Sequence, residues 1–360
     1  MKVYFFTVLI VSLLNLMAQS VDHPHPSRHS ELQVQHSQNA GFFFFQAALV
    51  LVLVSGLRYY VGADYGAYYH GYKTYAASLG EAIRTLSEPG YPLIARIAMI
   101  IHDDSATAIF LAALVTIWPA MKVIFRHTDR LLLASLLFIF LGCWHGSFNG
   151  VRQYLAATML FCGYEALERK QFRKYIAWVF LAYLFHRSSI VMIALYFVVH
   201  EKINVKNLTI LIFATIVVSI AYERILMIAG WITDSEYSLN NVYTAHNVNI
   251  LRVLAACTPA VVFLSILWNR PKDEQTTFNL NLLIIHAALS IATMKSALLY
   301  RAGIYTTLFQ VLAISELQKR FPKNTRRSIV ISMVILYGIM WWYELSISID
   351  LNHFRWIWNR

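Results

Sequence analysis

The sequence predicts an all-α, polytopic membrane protein that forms a single integral membrane domain over residues 1–360. Apolar residues make up 58% of the chain and charged residues only 14%, whereas a soluble domain carries about 25% charged residues. The apolar residues are gathered in runs close to the ~20 residues that a bilayer-crossing helix needs. The net charge of +11 lies mostly between these runs, where it orients a membrane protein, and no nucleic-acid-binding pattern accompanies it.

About 12 transmembrane segments are predicted, because most apolar runs reach at least ~17 residues. The single runs lie near residues 3–18, 41–57, 105–123, 131–146, 152–168, 207–229, 250–268, 279–296, 302–317 and 328–349.

Residues 174–200 form a run that is long for one straight span and short for two. Its middle contains His186-Arg187-Ser188-Ser189, a polar cluster that is costly at the centre of a bilayer. We therefore predict a short helical hairpin, or two short tilted helices, with His186 and Arg187 at its tip. Half-helices of this kind usually line a cavity, because free backbone groups cannot face lipid.

Lysine and arginine residues between the runs predict the topology. They are concentrated in residues 122–130, 168–174, 270–272 and 317–327, which the positive-inside rule places in the cytoplasm. Residues 230–249 contain no lysine or arginine and are predicted outside. With 174–200 entering and leaving on one side, both termini are predicted outside.

Two further segments follow from this topology. Residues 58–104 become an external loop, with interfacial helices at 75–86 and 91–101 suggested by apolar residues at helical spacing (Ile94, Ile97, Ala98 and Ile101 on one side). Residues 19–40 are rich in histidine and proline and are predicted to be a flexible cytoplasmic loop rather than a metal site.

Arginines recur at the predicted outer ends of the spans, on the side away from the lysine-rich segments. They are Arg58, Arg152, Arg187, Arg252 and Arg301. The sequence places few carboxylates near them, so an anionic partner is expected, and diphosphate fits the guanidinium group well. Unrelated arginines that extend to the interface are the alternative interpretation.

Two residues are candidates for proton transfer. Asp64 follows Arg58 in the tyrosine-rich stretch Gly56-Leu-Arg-Tyr-Tyr-Val-Gly-Ala-Asp-Tyr65, and it could accept a proton, bind a sugar hydroxyl or pair with Arg58. His186 could exchange a proton near neutral pH or serve as a hydrogen-bonded helix-end histidine. The tyrosines suit sugar faces, but an interfacial aromatic belt has the same composition.

Several motifs in order resemble the EpsG family of bacterial exopolysaccharide proteins, which are similar to Wzy-type polymerases. They are Gly56 to Tyr65, Glu88-Pro-Gly-Tyr91, Asn149-Gly-Val-Arg-Gln-Tyr-Leu-Ala156, Leu184-Phe-His-Arg-Ser-Ser-Ile190, and Arg301 with Tyr305. Ser189 stands where the family often has alanine, and residues 19–40 are His/Pro-rich where relatives are usually lysine-rich.

The resemblance implies a GT-C-like glycosyltransferase of the bacterial inner membrane. It would join undecaprenyl-diphosphate-linked oligosaccharide repeats at the periplasmic face, with chain-length regulator and flippase proteins as candidate partners. Asp64 and His186 are then the catalytic candidates. The substrate-binding candidates are Arg58, Tyr65, Arg152, Gln153, Arg187, Arg252, Arg301 and Tyr305. No cofactor or metal is expected, because arginines would offset the charge of the leaving group.

Three alternatives remain open at this point. A flippase or transporter of the lipid-linked sugar would also need arginines, but along a path that reaches both faces. A membrane O-acyltransferase that modifies the polysaccharide would need a buried histidine reached from the cytoplasm. A structural scaffold would not need arginines near the membrane.

Overall fold

The computed structural model describes residues 1–27, 30–224, 227 and 248–360. Most of the predicted external loop at 230–249 therefore lies outside the described residues. The described chain is almost entirely helical and divides into two compact units. Unit 1 comprises residues 1–193 and 321–360, and unit 2 comprises residues 194–320.

Unit 1 contains the helices that position the candidate site described below. These are α1 Lys2–Ser20, α2 Gln38–Gly56, α3 Tyr65–Ala77, α4 Leu79–Thr85, α5 Gly90–Ile101, α6 Ser105–His127, α7 Leu131–Phe140, α8 Val151–Cys162, α9 Tyr164–Glu168 and α10 Phe172–Tyr183. The helix α11, Ile193–Val198, begins at the division between the units.

Unit 2 and the return of the chain to unit 1 supply the remaining described helices. Those of unit 2 are α12 Val205–Ile220, α13 Ile250–Leu267, α14 Glu274–Ala292, α15 Ala297–Tyr300 and α16 Ile304–Leu317. Those of the returning segment are α17 Lys323–Ile347 and α18 Ile349–Asn352. Short 3₁₀ turns cover His145–Phe148, Arg187–Met192, Arg301–Gly303, Gln318–Arg320 and Ile357–Asn359.

Among the described residues, six helical stretches are long and apolar enough to cross a membrane. They are Lys2–Ser20, Gln38–Gly56, Ser105–His127, Ile250–Leu267, Ala297–Arg320 and Lys323–Ile347. The chain is thus an all-helical protein with several membrane-length helices, as its composition predicts.

Two of the predicted spans are interrupted in the structure. The run at 131–146 is helical only to Phe140, because Gly142 turns the chain with φ +85°. The run at 152–168 breaks at Gly163, where a β-carbon would come 2.9 Å from Trp178 of α10. The first interruption follows from a left-handed backbone and the second from close packing, and the hydropathy of the sequence shows neither.

The predicted change of direction inside 174–200 is confirmed as two short helical segments. Helix α10 ends at Tyr183, and the 3₁₀ turn Arg187–Met192 packs back against it. The Tyr175 hydroxyl donates to the carbonyl of Met192 at 2.8 Å. His186 and Arg187 lie at the junction, as predicted.

The segment 19–40 is more ordered than predicted. Strands His25–Ser27 and Ser30–Gln35 pair antiparallel, with His25 opposite Gln35. The Asp22 carboxylate joins the ends of this segment, because it accepts from the backbone N–H of Ser37 and lies 2.5 Å from His36 Nδ1. The expectation of a flexible loop is therefore wrong for the described part of this segment.

The segment 58–104 contains three helices where two were predicted. Helix α3 was missed, since its tyrosines suggested an interfacial belt, yet Tyr68, Tyr72 and Ala76 form a buried face at helical spacing. The stretch 75–86 is divided at Ser78 between α3 and α4. In α5, Ile94 and Ala98 are buried, whereas Ile97 and Ile101 are exposed.

The core beneath the candidate site joins α3, α5, α6 and α8. Its buried members are Tyr68, Ala76, Tyr91, Ile94, Ala95, Ala112, Val151 and Leu155. This packing fixes the start of α8 against α3 and α5, and so positions the side chains that follow.

Candidate functional site

A tight turn between α4 and α5 brings Glu88 against the junction of α10 and the following 3₁₀ turn. The backbone N–H of Gly90 donates to the carbonyl of Leu184 at 2.8 Å. A β-carbon on Gly90 would overlap with the ring of Phe185. Glu88 itself has φ +57°, a left-handed conformation that costs a non-glycine residue free energy and persists where its surroundings fix it.

The Glu88 carboxylate is the centre of an ionic cluster, which we define as Glu88, Arg152, His186 and Arg187. Its Oε2 lies 2.5 Å from Arg152 Nη1, on the first turn of α8. Its Oε1 accepts from the backbone N–H of Arg187 at 2.9 Å and lies 3.2 Å from His186 Nδ1. Side chains from three separate parts of the chain thus meet at one carboxylate.

The charges of this cluster act on Glu88. Burial raises the pKa of its carboxyl, but the contact with His186, the charge of Arg152 and the N–H of Arg187 outweigh burial and hold the pKa below its usual value. Glu88 is therefore an anion at neutral pH. The expectation that the arginines have few carboxylates nearby is wrong for Arg152, because Glu88 is 64 residues away in sequence yet adjacent in space.

An open pocket of about 130 Å³ lies against Glu88 and Arg152. Its wall is completed by Tyr75, Ser78, Glu81, Ala82, Ser87 and Pro92. The Arg152 side chain is 36% exposed and that of Glu88 is 14% exposed. The guanidinium of Arg152 can therefore meet a ligand that enters the pocket.

Tyr68 connects the ionic cluster to a second, buried arginine. Its hydroxyl accepts from Arg152 Nε at 3.3 Å. Its side chain also lines a narrow cavity beside Arg58, together with Tyr65, Tyr91, Ser55 and others. This cavity has room for about one water molecule.

Arg58 is held inside the protein and is 3% exposed. Its Nε donates to the carbonyl of Val61 at 3.1 Å, and its Nη1 donates to the carbonyl of Ser55 near the end of α2. The guanidinium carbon lies 4.6 Å from the ring centre of Phe148 and 5.6 Å from that of Tyr65. We call this arrangement the Arg58 cage.

The loop that carries Arg58 is fixed on two sides. Gly62 has φ +105°, and a β-carbon there would overlap with the carbonyl of Phe148. The N–H of Ala63 donates to Asn149 Oδ1 at 2.7 Å. On the other side the C-terminal residues pair with the loop, since Tyr59 N–H donates to the carbonyl of Arg355 at 2.8 Å.

The remaining candidates of unit 1 lie close to these two arginines in the chain. Asp64 is half-buried and immediately precedes α3. Tyr65 is buried, and its hydroxyl has no hydrogen-bond partner within the described structure. Gln153 is buried next to Arg152 in α8.

Three of the predicted site residues belong to unit 2. Arg252 is exposed on the first turn of α13, and Arg301 is exposed in the 3₁₀ turn before α16. Tyr305 is buried in α16. In the same unit, His286 Nδ1 lies 2.7 Å from the hydroxyl of Thr306, which donates to the carbonyl of Gly303.

A family model decides the relationship of this chain to known proteins. The model of the EpsG family matches residues 41–357. The chain belongs to the EpsG family. It is accordingly a membrane protein of polysaccharide biosynthesis, and membership implies a lipid-linked oligosaccharide substrate. Neither the curated proteins nor the solved structures include a match.

Four of the EpsG-like motifs meet in unit 1. The motif with Arg58 and Gly62 contacts the motif with Asn149 and Arg152, and the motif with Glu88 contacts both Arg152 and the motif with His186. The fifth motif, with Arg301 and Tyr305, is in unit 2.

Sequence reasoning missed Glu88 and Tyr68 as members of the site. Glu88 was visible in the sequence as part of Glu88-Pro-Gly-Tyr91, a stretch that resembles a family element, but it had no assigned role. Tyr68 was visible only as one tyrosine among many. Within the described residues, no group of three or more His, Cys, Asp or Glu side chains could hold a metal ion.

Proposed function

We propose that this EpsG-family protein is a polymerase that joins undecaprenyl-diphosphate-linked oligosaccharide repeats at the periplasmic face of the bacterial inner membrane. The observation that carries the proposal is the ionic cluster, two of whose members, Glu88 and Arg152, line an open pocket. It combines a guanidinium that a diphosphate can reach, an imidazole that can accept a proton, and a carboxylate that holds both.

The donor in this proposal is the growing chain on its lipid diphosphate. Arg152 faces the pocket, and the Arg187 side chain has no ion-pair partner among the described residues. Both cations can therefore bind diphosphate oxygens. We further propose that Arg58, Arg252 and Arg301 add positive potential for this anion, with Tyr65, Gln153 and Tyr305 binding the sugar or diphosphate.

The transfer step uses the acceptor sugar of a second lipid-linked repeat. An acceptor hydroxyl loses its proton to His186 as its oxygen forms a bond to the anomeric carbon of the donor chain. The bond from that carbon to the diphosphate oxygen breaks, and its electron pair leaves with the diphosphate. Arg152 and Arg187 offset the developing charge. Asp64 is the alternative proton acceptor.

The fold proposed for the whole chain is a GT-C-like bundle of about 12 spans. The membrane-length helices and the shorter apolar helices Leu131–Phe140, Arg187–Val198 and Val205–Ile220 support it. Accessibility labelling of single cysteines at Ser78 and Ser328 would test the topology, since the proposal places residue 78 in the periplasm and residue 328 near the cytoplasm.

A gel of surface glycan from a strain that lacks this gene tests the function. We expect the deletion to leave only single-repeat product and the wild-type gene to restore the long-chain ladder. Loss of all surface glycan, with lipid-linked repeats retained inside the cell, would instead identify a flippase. An unchanged ladder would rule out polymerisation and leave modification, such as O-acylation, or scaffolding. A chain-length regulator and a flippase are the proposed protein partners.

A further inference from the structure

The two oxygens of Glu88 have different partners, which suggests two separable tasks. Oε2 faces the Arg152 guanidinium at 2.5 Å. Oε1 faces the His186 ring at 3.2 Å from Nδ1, and it also accepts from the backbone N–H of Arg187 at 2.9 Å. The second contact fixes the carboxylate on the same backbone segment that carries the histidine.

The local structure around Glu88 is built to hold this orientation. Glu88 keeps a left-handed backbone, φ +57°, in the tight turn that Gly90 packs against Phe185. A strained residue that is anchored on both sides costs stability, and such residues cluster at functional sites. A surface glutamate that only paired with Arg152 would not need this turn.

We propose that Glu88 is a positioning residue that orients the imidazole of His186 for proton transfer. This inference rests on the proposed polymerase function. His186 Nδ1 faces the carboxylate at 3.2 Å but lacks the geometry of a formed hydrogen bond. The nearby anion favours the tautomer of the neutral ring with its proton on Nδ1, so Nε2 carries the free lone pair and is the nitrogen that accepts the proton of the acceptor hydroxyl. The Glu88 anion then stabilises the imidazolium that forms.

The charged groups that face His186 come from three elements. Glu88 lies in the turn before α5, Arg187 is the next residue after His186 in the chain, and Arg152 of α8 pairs with the same carboxylate. Removal of the Glu88 charge therefore removes the one described carboxylate in contact with this histidine. Without that charge, the protonated ring of His186 loses the anion that stabilises it, so the dependence of the reaction rate on pH is expected to change.

The test is steady-state polymerisation by purified protein in liposomes, with isolated lipid-linked repeats as substrate. Glu88→Gln is expected to lower kcat on the order of 10²-fold, with a smaller change in KM. The acid limb of its pH–rate profile is expected to move to lower pH, because the protonated ring loses the anion 3.2 Å away. Glu316→Gln is the matched control, because Glu316 is 16% exposed and pairs with Lys319 at 2.8 Å in unit 2.

Double variants separate positioning of His186 from support of Arg152. If Glu88 acts through His186, Glu88→Gln adds no loss to His186→Gln but retains its loss in an Arg152→Gln background. Additive losses with His186→Gln, or a Glu88→Gln profile that keeps the wild-type acid limb, would overturn the inference. Absence of polymer from the wild-type protein would overturn the polymerase function itself, which is a different result.

Discussion

Arg152 and Arg58 are the same residue type in two different environments of unit 1. Arg152 pairs with a carboxylate and is 36% exposed at an open pocket. Arg58 is 3% exposed, and its described partners are the backbone carbonyls of Ser55 and Val61 and two aromatic rings. Tyr68 lies between them, since it binds Arg152 and lines the cavity beside Arg58.

The two arginines therefore serve different purposes in the same protein. A guanidinium with an exposed edge at an open pocket is able to bind a diphosphate beside its carboxylate partner. A guanidinium held by backbone carbonyls joins the segments that supply them, and its removal leaves buried acceptors unsatisfied. We therefore expect substitution of Arg152 to lower activity most and substitution of Arg58 to lower the stability of the fold most.

The largest expected effect is on catalysis at Arg152. Arg152→Ala is expected to lower the rate of polymerisation by about 10²- to 10³-fold, because it removes a cation from the developing charge of the leaving group. The assay is the liposome reaction with lipid-linked repeats. Arg320→Ala is the matched control, since Arg320 is 41% exposed and pairs with Asp273 at 2.7 Å in unit 2.

A near-normal rate of polymerisation for Arg152→Ala would contradict the catalytic role of Arg152. A loss of folded protein in this variant would contradict the difference between the two arginines, because Arg152 would then stabilise the fold as Arg58 does.

The next effect is on stability at Arg58. Arg58→Met is expected to destabilise the protein by about 2–5 kcal/mol, because the carbonyls of Ser55 and Val61 lose a buried donor. Thermal unfolding of the detergent-purified protein measures this. Arg58→Lys keeps a charge but lacks the planar fork, so an intermediate loss is expected. An unfolding curve for Arg58→Met that matches the wild type would contradict the Arg58 cage.

How far the sequence predicts this site depends on the kind of contact. The length of the apolar runs predicts α2, α6 and α17, and the polar cluster at His186 predicts the junction after α10, because both are local properties. Glu88 meets Arg152 only through the packing of α3, α5 and α8, which no local pattern encodes. Burial of Arg58 could not be predicted either, since a caged arginine and one that extends to the interface have the same sequence.

Two glycines test whether the backbone of the loop around Arg58 is fixed. Gly62→Ala is expected to cost about 1–3 kcal/mol, because φ is +105° and the new β-carbon meets the carbonyl of Phe148. Gly80→Ala, in α4, meets nothing within 4 Å and is expected to be neutral or stabilising by up to about 1 kcal/mol. Equal unfolding temperatures for the two variants would contradict the fixed loop around Arg58.

The smallest expected effect is the acid sensitivity of the ionic cluster. Because the pKa of Glu88 is lowered in the folded protein, its ionisation stabilises the fold above the ordinary carboxyl pKa of 4.5. That contribution is lost as the pH falls through the lower folded-state pKa. Below about pH 4.5, the wild type should therefore lose stability more steeply than Glu88→Gln. Parallel curves of unfolding temperature against pH would argue against a charged Glu88.

Direct binding of undecaprenyl diphosphate, the lipid that the proposed polymerisation would release, tests whether the ionic cluster holds a diphosphate. The measurement is the Kd of the purified wild type, Arg152→Ala and Arg320→Ala for this lipid, with undecaprenol as the uncharged control ligand. We expect Arg152→Ala to weaken diphosphate binding by on the order of 10-fold or more, with undecaprenol binding unchanged and Arg320→Ala like the wild type. Equal diphosphate affinity for all three proteins would contradict the account.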